Sequence, residues 1–336
     1  MKAVLIRGDG IGPEISEAVV KIFEAAKADI QWVEAEAGER CYKNHNSPLP
    51  PETLALIKEL KFALKGPLTT PIGNSTANNF KSANLAMRQA LDLYANLRPI
   101  KSIPAVKSRY ENIDIVIVRE NTEGLYAGLE HNINPDIAVS LKIASRKACE
   151  RIGRYAFEFA KSNARKKVTA VHKANIIKLT DGLMLECFRK IAADYPEIIY
   201  EEKIVDAVCM SLVMNPEQFD VIVTENLYGD ILSDLCAGLI GGLGIAPSAN
   251  IGENCQVFEA IHGSAPDIAG KGLANPTALL LAAISMLKQM GQIPCADKIM
   301  AATLKTLSDN KYTTKDLGGN SSTMEFANHI ANNLAA

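Results

Sequence analysis

The chain has 336 residues, of which 48% are hydrophobic and 22% charged, long enough for two domains with well-buried cores. Its 36 basic and 38 acidic side chains leave a net charge of −2, so no global positive field exists to hold nucleic acid or an anionic membrane, and neither is expected as a partner. An anionic ligand would need a local cluster of basic residues.

In chain order, "KAVLIR" predicts a first strand and "PEISEAVVKIFEAAK" a helix whose Ile15, Val19, Ile22 and Phe23 form one apolar stripe. The turn between them, Gly8-Asp9-Gly10-Ile11-Gly12-Pro13, sits where a dinucleotide-binding fingerprint would sit. Its spacing is G-x-G-x-G rather than G-x-G-x-x-G, and Pro13 suits a first helical turn. Glu34 lies about 20 residues on, where a ribose-binding acid is expected. Phosphate grip and plain strand-to-helix turn both stay open on the motif alone. Further strands are predicted over "IQWVEAEA" and "FALKGP".

In "SANLAMR", Asn84 and Arg88 are four apart and share a helical face, just after Ser82. Arg98 in "NLRP" and Arg119, ending the strand "IDIVIVRE", bring the arginines to three. Each guanidinium can grip a carboxylate through two parallel hydrogen bonds, as a polycarboxylate requires. The competing reading is three scattered surface arginines. Tyr126, taken alone, reads as a packed ring. Residues 124–145 alternate weakly and carry turn residues, which fits an antiparallel excursion, either a surface hairpin or a dimerisation arm.

The helix "ASRKACERIGRYAFEFAKSN" and the strand "KVTAVHK" lead to Lys173, beside Asn175. That lysine is either a general base, its pKa depressed by metal and arginine neighbours, or a solvated loop residue. A helix over "LTDGLMLECFRKIAADY" and a strand over "IIYEEKIVDA" follow, with Asp206 expected at the strand's end, then the strand "DVIVTEN". In "NLYGDILSD", Asp230 and Asp234 at i and i+4 project from one helical face. Two hard oxygen donors so placed suit Mg²⁺ or Mn²⁺; acids favouring a helix N-terminus are the other reading.

Residues 259–276 form a long loop without periodicity, which is usually functional. The backbone of His262-Gly263-Ser264-Ala265 could approach a phosphate, and Asp267 could accept from a ribose hydroxyl. Helices over "NPTALLLAAISMLKQMG" and "IMAATLKTLSDN" close the chain. The alternation predicts an α/β fold with helices covering a largely parallel sheet. The apolar run Ala278 to Leu287 is too short to span a bilayer. Seven scattered cysteines without a C-x-x-C read as reduced thiols. With a first strand at about residue 2, no targeting segment is expected, and the location is expected to be cytoplasmic.

Together these segments resemble the β-decarboxylating dehydrogenases, the family of isocitrate, isopropylmalate, homoisocitrate and tartrate dehydrogenases. The match runs from "GDGIGPE" at residue 8 through "KDLGGN" at residues 315–320 and includes "NLYGDILSDLCAGLIGGLGIAPSANIG". The resemblance implies the isocitrate/isopropylmalate dehydrogenase-like fold, two α/β domains with a cleft between them, rather than a Rossmann fold. It implies a large domain from residues 1–94 and 241–336, a small domain from 95–123 and 146–240, and a dimer clasp at 124–145.

Isocitrate-specific members carry S-x-N-x-x-L-R at the segment beginning with Ser82, where isopropylmalate enzymes have larger, more apolar residues. Met87 replaces the family's usual Leu, a nearly isosteric change. "DLYANLRPIKSI" and "TAVHKANI" are similar to NAD-dependent isocitrate dehydrogenases. The implied activity is oxidative decarboxylation of isocitrate to 2-oxoglutarate and CO₂ with NAD and a divalent ion. Homoisocitrate or 3-isopropylmalate is the alternative substrate, and a regulatory subunit of a heteromeric enzyme is the alternative of another class.

The resemblance also implies roles. Ser82, Asn84, Arg88, Arg98, Arg119 and Asn175 would bind substrate, and Tyr126 would protonate the enol carbon. Lys173 would be the base on the substrate hydroxyl, and Asp206, Asp230 and Asp234 the metal ligands. In the family, Lys173 and Asp206 come from the neighbouring subunit, so a homodimer with shared active sites is expected. Cofactor contacts would come from Ile11, Thr69, Glu259, His262, Gly263, Ser264, Ala265, Asp267, Ile268 and Asn275. Ile11 is expected near the nicotinamide end. Asp267 can accept from the free ribose hydroxyls of NAD but repels the extra phosphate of NADP. One charged hydrogen bond contributes roughly 1.5–3 kcal/mol, enough for about 10- to 150-fold discrimination.

Overall fold

Alternating strands and helices run through residues 1–70 and 82–335, which the computed structural model describes. The first stretch holds strand β1 (Lys2–Ile6), helix α1 (Gly12–Ala25), strand β2 (Gln31–Glu34), helices α2 (Glu39–His45) and α3 (Pro51–Leu60), strand β3 (Phe62–Lys65) and helix α4 (Ala83–Ala90). Strands β4 (Ala95–Lys101) and β5 (Asp114–Glu120) follow, then the pair β6 (Glu130–Asn134) and β7 (Ile137–Ser140). Next come α5 (Arg146–Ser162), β8 (Lys167–His172), α6 (Thr180–Ala192), β9 (Ile199–Ile204), α7 (Val205–Met214), β10 (Val221–Thr224) and α8 (Asn226–Leu239). The last stretch holds β11 (Pro247–Ile251), β12 (Gln256–Ala260), α9 (Thr277–Gln289), α10 (Ile293–Ser308) and α11 (Thr323–Ala335).

Two units result. The first comprises Met1–Leu91, Ser102–Glu111 and Ile240–Ala336. Its strands lie in the order β2-β1-β3-β12-β11, parallel except for the antiparallel β11–β12 pair. Helix α9 is its core element: Thr277 to Ile284, Met286 and Leu287 are all buried. The ten-residue apolar run is therefore a buried helix, and no helix among the described residues is long and apolar enough to cross a membrane. Burying each leucine there contributes roughly 1.5–3 kcal/mol.

The second unit comprises Asp92–Lys101 and Asn112–Leu239, with strands in the order β4-β5-β10-β8-β9. Strands β5, β10, β8 and β9 run parallel, and β4 is antiparallel to β5. Ile115 to Val118 and Val221 to Val223 are buried, as strands covered on both faces demand. The 124–145 segment does form an antiparallel pair, β6–β7, with Leu129, Ile133, Ile137 and Leu141 exposed.

Several expected boundaries shift: Ser102–Glu111 group with the first unit rather than with the expected small domain, and Glu259 and Ala260 end β12 rather than open the loop. "IIYEEKIVDA" ends as a strand at Ile204, and Asp206 lies in the first turn of α7 rather than at a strand end. The β-branched run hides the change, but an acid in the first turn favours the helix macrodipole.

Candidate functional site

In the second unit, Arg119, next to last in β5, lies beside Asn96 of β4, and the helix α8 faces both strands. Arg119 is 1% exposed, a buried guanidinium that must be fully partnered. Its Nε and Nη2 donate to Asn226 Oδ1 at 3.0 and 2.7 Å, and its Nη1 pairs with Asp230 Oδ1. Gly229 makes room for it: a Cβ there would stand 2.6 Å from Arg119 Cγ. Arg98 Nε donates to Asn96 Oδ1 at 2.6 Å, and its Nη1 donates to Ser233 Oγ. Its Nη2 lies 3.3 Å from Asp230 Oδ1, and its Nη1 3.8 Å from Asp234 Oδ1.

Tyr126 completes the cluster. Its hydroxyl donates to Asp230 Oδ2 at 2.7 Å, and the Arg119 guanidinium carbon lies 5.1 Å from the ring centre. Burial, then the Asp230 carboxylate, pushes the phenol pKa up, so the ring holds its proton at neutral pH. Asp234 is 57% exposed; partial burial and the neighbouring Asp230 raise its pKa against the pull of Arg98. Arg98, Arg119, Tyr126, Asp230 and Asp234 are thus one continuous network.

Lys173 and Asp206 pair with each other at 2.5 Å, and the lysine ammonium holds the Asp206 carboxyl below its ordinary range. The Lys173 backbone N–H donates to buried Asp181 Oδ2 at 2.7 Å, which fixes the turn that leaves Asn175 exposed. Among the described residues, no three His, Cys, Asp or Glu side chains converge as a metal cage. Asp230 and Asp234 offer hard oxygen donors on one helical face, which suits a divalent ion whose other positions are filled from outside this set.

In the first unit the glycine turn is a hub. Gly10 has φ +57°, and a Cβ there would stand 1.9 Å from Ser264 O, so only glycine fits. Buried Ile11 donates its N–H to Ser264 O at 2.9 Å, and Thr69 Oγ1 donates to Ser264 Oγ at 3.0 Å. The Asp9 carboxylate accepts from the N–H groups of Glu39, Arg40 and Thr69 at 2.9, 3.2 and 2.8 Å. Glu34 is paired with Arg7 at 2.9 Å, so it is committed to a structural ion pair.

Ser82 caps α4, its Oγ accepting from Leu85 N at 3.4 Å and lying 3.2 Å from Thr70 Oγ1. Asn84 Oδ1 is buried without a hydrogen-bond partner among the described residues. Arg88 Nη2 lies 3.4 Å from Glu259 Oε1. Glu259 is buried, also meeting Lys65 at 2.5 Å and Asn250 Nδ2 at 2.6 Å. Burial alone would raise its pKa, but Lys65 and Arg88 outweigh it and hold it at about 2.

The loop after β12 carries the remaining expected residues. Burial lowers the His262 pKa, and its Nε2 makes no hydrogen bond among the described residues. Ala265 has φ +39°, Gly263 and Asp267 are exposed, and Ile268 donates its N–H to Ala265 O at 3.1 Å. Asn275 accepts from Thr277 N at 2.9 Å, at the start of α9, and donates to Asp316 Oδ2 at 2.9 Å.

Several supporting residues escape the sequence reading: Asn96, Asn226 and Ser233 around the arginines, and Lys65 and Asn250 around Glu259. Asn226 carries a detectable signal, since it lies four residues before Asp230 on the same helical face. Ser233, three residues after Asp230 on the same helix, carries the same kind of signal, whereas Asn96, Lys65 and Asn250 sit on other elements that no spacing rule reaches.

Fold and site define a class: an α/β protein with largely parallel sheets that sets two buried arginines against paired aspartates. A sequence profile described as isocitrate/isopropylmalate dehydrogenase matches residues 2–330. Isocitrate dehydrogenase [NAD] catalytic subunit 6, mitochondrial, of Arabidopsis thaliana is 51% identical over 99% of this chain and 88% of its own length. The chloroplastic 3-isopropylmalate dehydrogenase of Solanum tuberosum is 52% identical over 93% of this chain and 86% of its own. The crystal structure of isocitrate dehydrogenase from Methylococcus capsulatus superposes with a TM-score of 0.96 at 48% identity, covering 100% of this chain and 99% of that one. The chain belongs to the isocitrate/isopropylmalate dehydrogenase family and has its fold.

These names correct one expectation. The isocitrate dehydrogenase subunits among the relatives are named as mitochondrial, which points away from the cytoplasm. Scattered reduced cysteines separate oxidising from reducing compartments, but not the cytosol from the mitochondrial matrix.

Proposed function

We propose that the chain catalyses the NAD-dependent oxidative decarboxylation of isocitrate to 2-oxoglutarate and CO₂ with a divalent ion. The observation that carries this reading is the Arg98–Arg119–Tyr126–Asp230 network, a buried cationic pair with a proton-bearing phenol beside two carboxylates. Arg88, Arg98 and Arg119 bind the substrate carboxylates, and Asn84 and Ser82 supply polar contacts at the position where isopropylmalate enzymes are apolar. That position decides the substrate, because relatives named for either one are equally similar overall.

Asp230 and Asp234, together with Asp206 of the partner subunit, would hold Mg²⁺ or Mn²⁺. Bound there, a divalent ion would supply Lewis-acid polarisation of the C2 oxygen and NAD would supply the hydride acceptor. The partner subunit's Lys173 takes the hydroxyl proton, directly or through a relay. After CO₂ leaves C3, Tyr126 delivers its proton to that carbon; its raised pKa keeps the proton available until then. Asp267 favours NAD over NADP. This division of labour makes the unit of activity a homodimer, and the exposed apolar residues of β6–β7 supply contact surface for it.

The test is turnover by the purified chain alone. NADH and 2-oxoglutarate should form in equal amounts from isocitrate and NAD, and chelating the divalent ion should abolish the reaction. No turnover with isocitrate, NAD and Mn²⁺ present would overturn the proposal and favour a regulatory subunit.

A further inference from the structure

The segment 262–272 is gripped at both ends by the N-terminal part of the first unit. At its start, Ser264 accepts from Ile11 N through its carbonyl at 2.9 Å and from Thr69 Oγ1 through its hydroxyl at 3.0 Å. At its far end, Glu14 in the first turn of α1 accepts the Gly272 N–H through Oε2 at 3.1 Å, across 258 positions of sequence. The other carboxylate oxygen, Oε1, is buried and makes no hydrogen bond among the described residues. The Gly272 N–H is therefore what docks this carboxylate.

The backbone at that end is bent into an unusual shape. Gly270 has φ +72° and Gly272 φ +65°, values that L side chains rarely adopt. Gly272 O accepts from Thr323 N at 2.8 Å, and Thr323 Oγ1 donates to Ala274 O at 2.6 Å. Since α1 packs on α11, Gly272 is held from two packed helices at once, by Glu14 from one and by the start of α11 from the other. Nothing in the 263–271 backbone needs Glu14 for regular secondary structure; the carboxylate sets where a loop sits.

We infer that Glu14 is a positioning residue for the cofactor loop: it touches neither substrate nor reacting atoms, but fixes the far end of 262–272 and so sets the affinity for NAD. The inference rests on the reading of 259–275 as the NAD loop. It also gives the "GPE" end of the glycine turn a task that the phosphate-grip reading does not contain.

Glu14→Ala should raise the KM for NAD about tenfold while kcat and the KM for isocitrate stay within twofold. Glu14→Gln keeps an acceptor oxygen and should remain within about threefold of wild type. Hydrogen exchange of the 268–272 amides, followed without cofactor, should be about tenfold faster in Glu14→Ala. An unchanged NAD KM in a folded Glu14→Ala protein overturns the inference, and so does an equal rise in both KM values, which marks a general structural role. Should Glu14→Ala not fold, Gly272→Ala strains the same joint at φ +65° with open space around the added Cβ, and the same split is expected. A wild type that does not saturate with NAD overturns the cofactor reading, and the exchange rates then decide the clamp by themselves.

Discussion

Arg88 depends on a carboxylate 171 positions away, Glu259, which also neutralises buried Lys65. Removing one partner of a buried ion pair leaves the others uncompensated, so Glu259→Gln should cost about 3–5 kcal/mol of stability at neutral pH. The pH dependence has a definite sign. The folded pKa, at about 2, lies below the ordinary glutamate value of 4.5, so the stabilisation is complete above roughly pH 4.5 and lost as pH falls towards 2. Urea titrations at several pH values should show the gap between wild type and Glu259→Gln narrowing across that window. A constant gap would contradict the account. The sequence shows Glu259 only as the first residue of a glycine-rich loop. Its partners come from three other elements, and burial is what makes them decisive.

At the scale of elements, the hairpin β6–β7 is the clearest unfinished surface. Ile133 is 61% exposed and Ile137 49%, on a two-stranded pair of the kind that is marginal in isolation. A second copy covering it would explain both. Ile133→Asp with Ile137→Asp should convert a dimer to a monomer in light scattering and lower turnover at least 100-fold, since Lys173 and Asp206 would no longer reach a partner. A double variant that remains dimeric and active would rule the hairpin out as the clasp. The strongly periodic elements were legible in the sequence: α1, α5 and α9 lie within about two residues of the patterns that predict them. Strand β4 was not, because Pro99 interrupts its alternation. Strands β11 and β12 are short and flanked by glycine-rich sequence, and α7 opens with valine, so all three fell below what periodicity resolves.

At the scale of the molecule, one chain contributes two kinds of apparatus. Arg98, Arg119, Tyr126, Asp230 and Asp234 form one network, while Lys173 and Asp206 pair separately. Residue types and spacing left each of these positions between two readings, and the expected roles came with the family resemblance; inner partners on other elements, Asn96 and Asn250 among them, required the fold. Substrate choice is the central claim, and it rests on Ser82 and Asn84, since overall similarity does not separate isocitrate from isopropylmalate enzymes. The direct measurement is kcat/KM of the purified chain for isocitrate, homoisocitrate and 3-isopropylmalate, with NAD and Mn²⁺ held constant. Isocitrate should lead the other two by at least 100-fold, about 2.7 kcal/mol of transition-state discrimination. Equal or greater kcat/KM for 3-isopropylmalate would contradict the account.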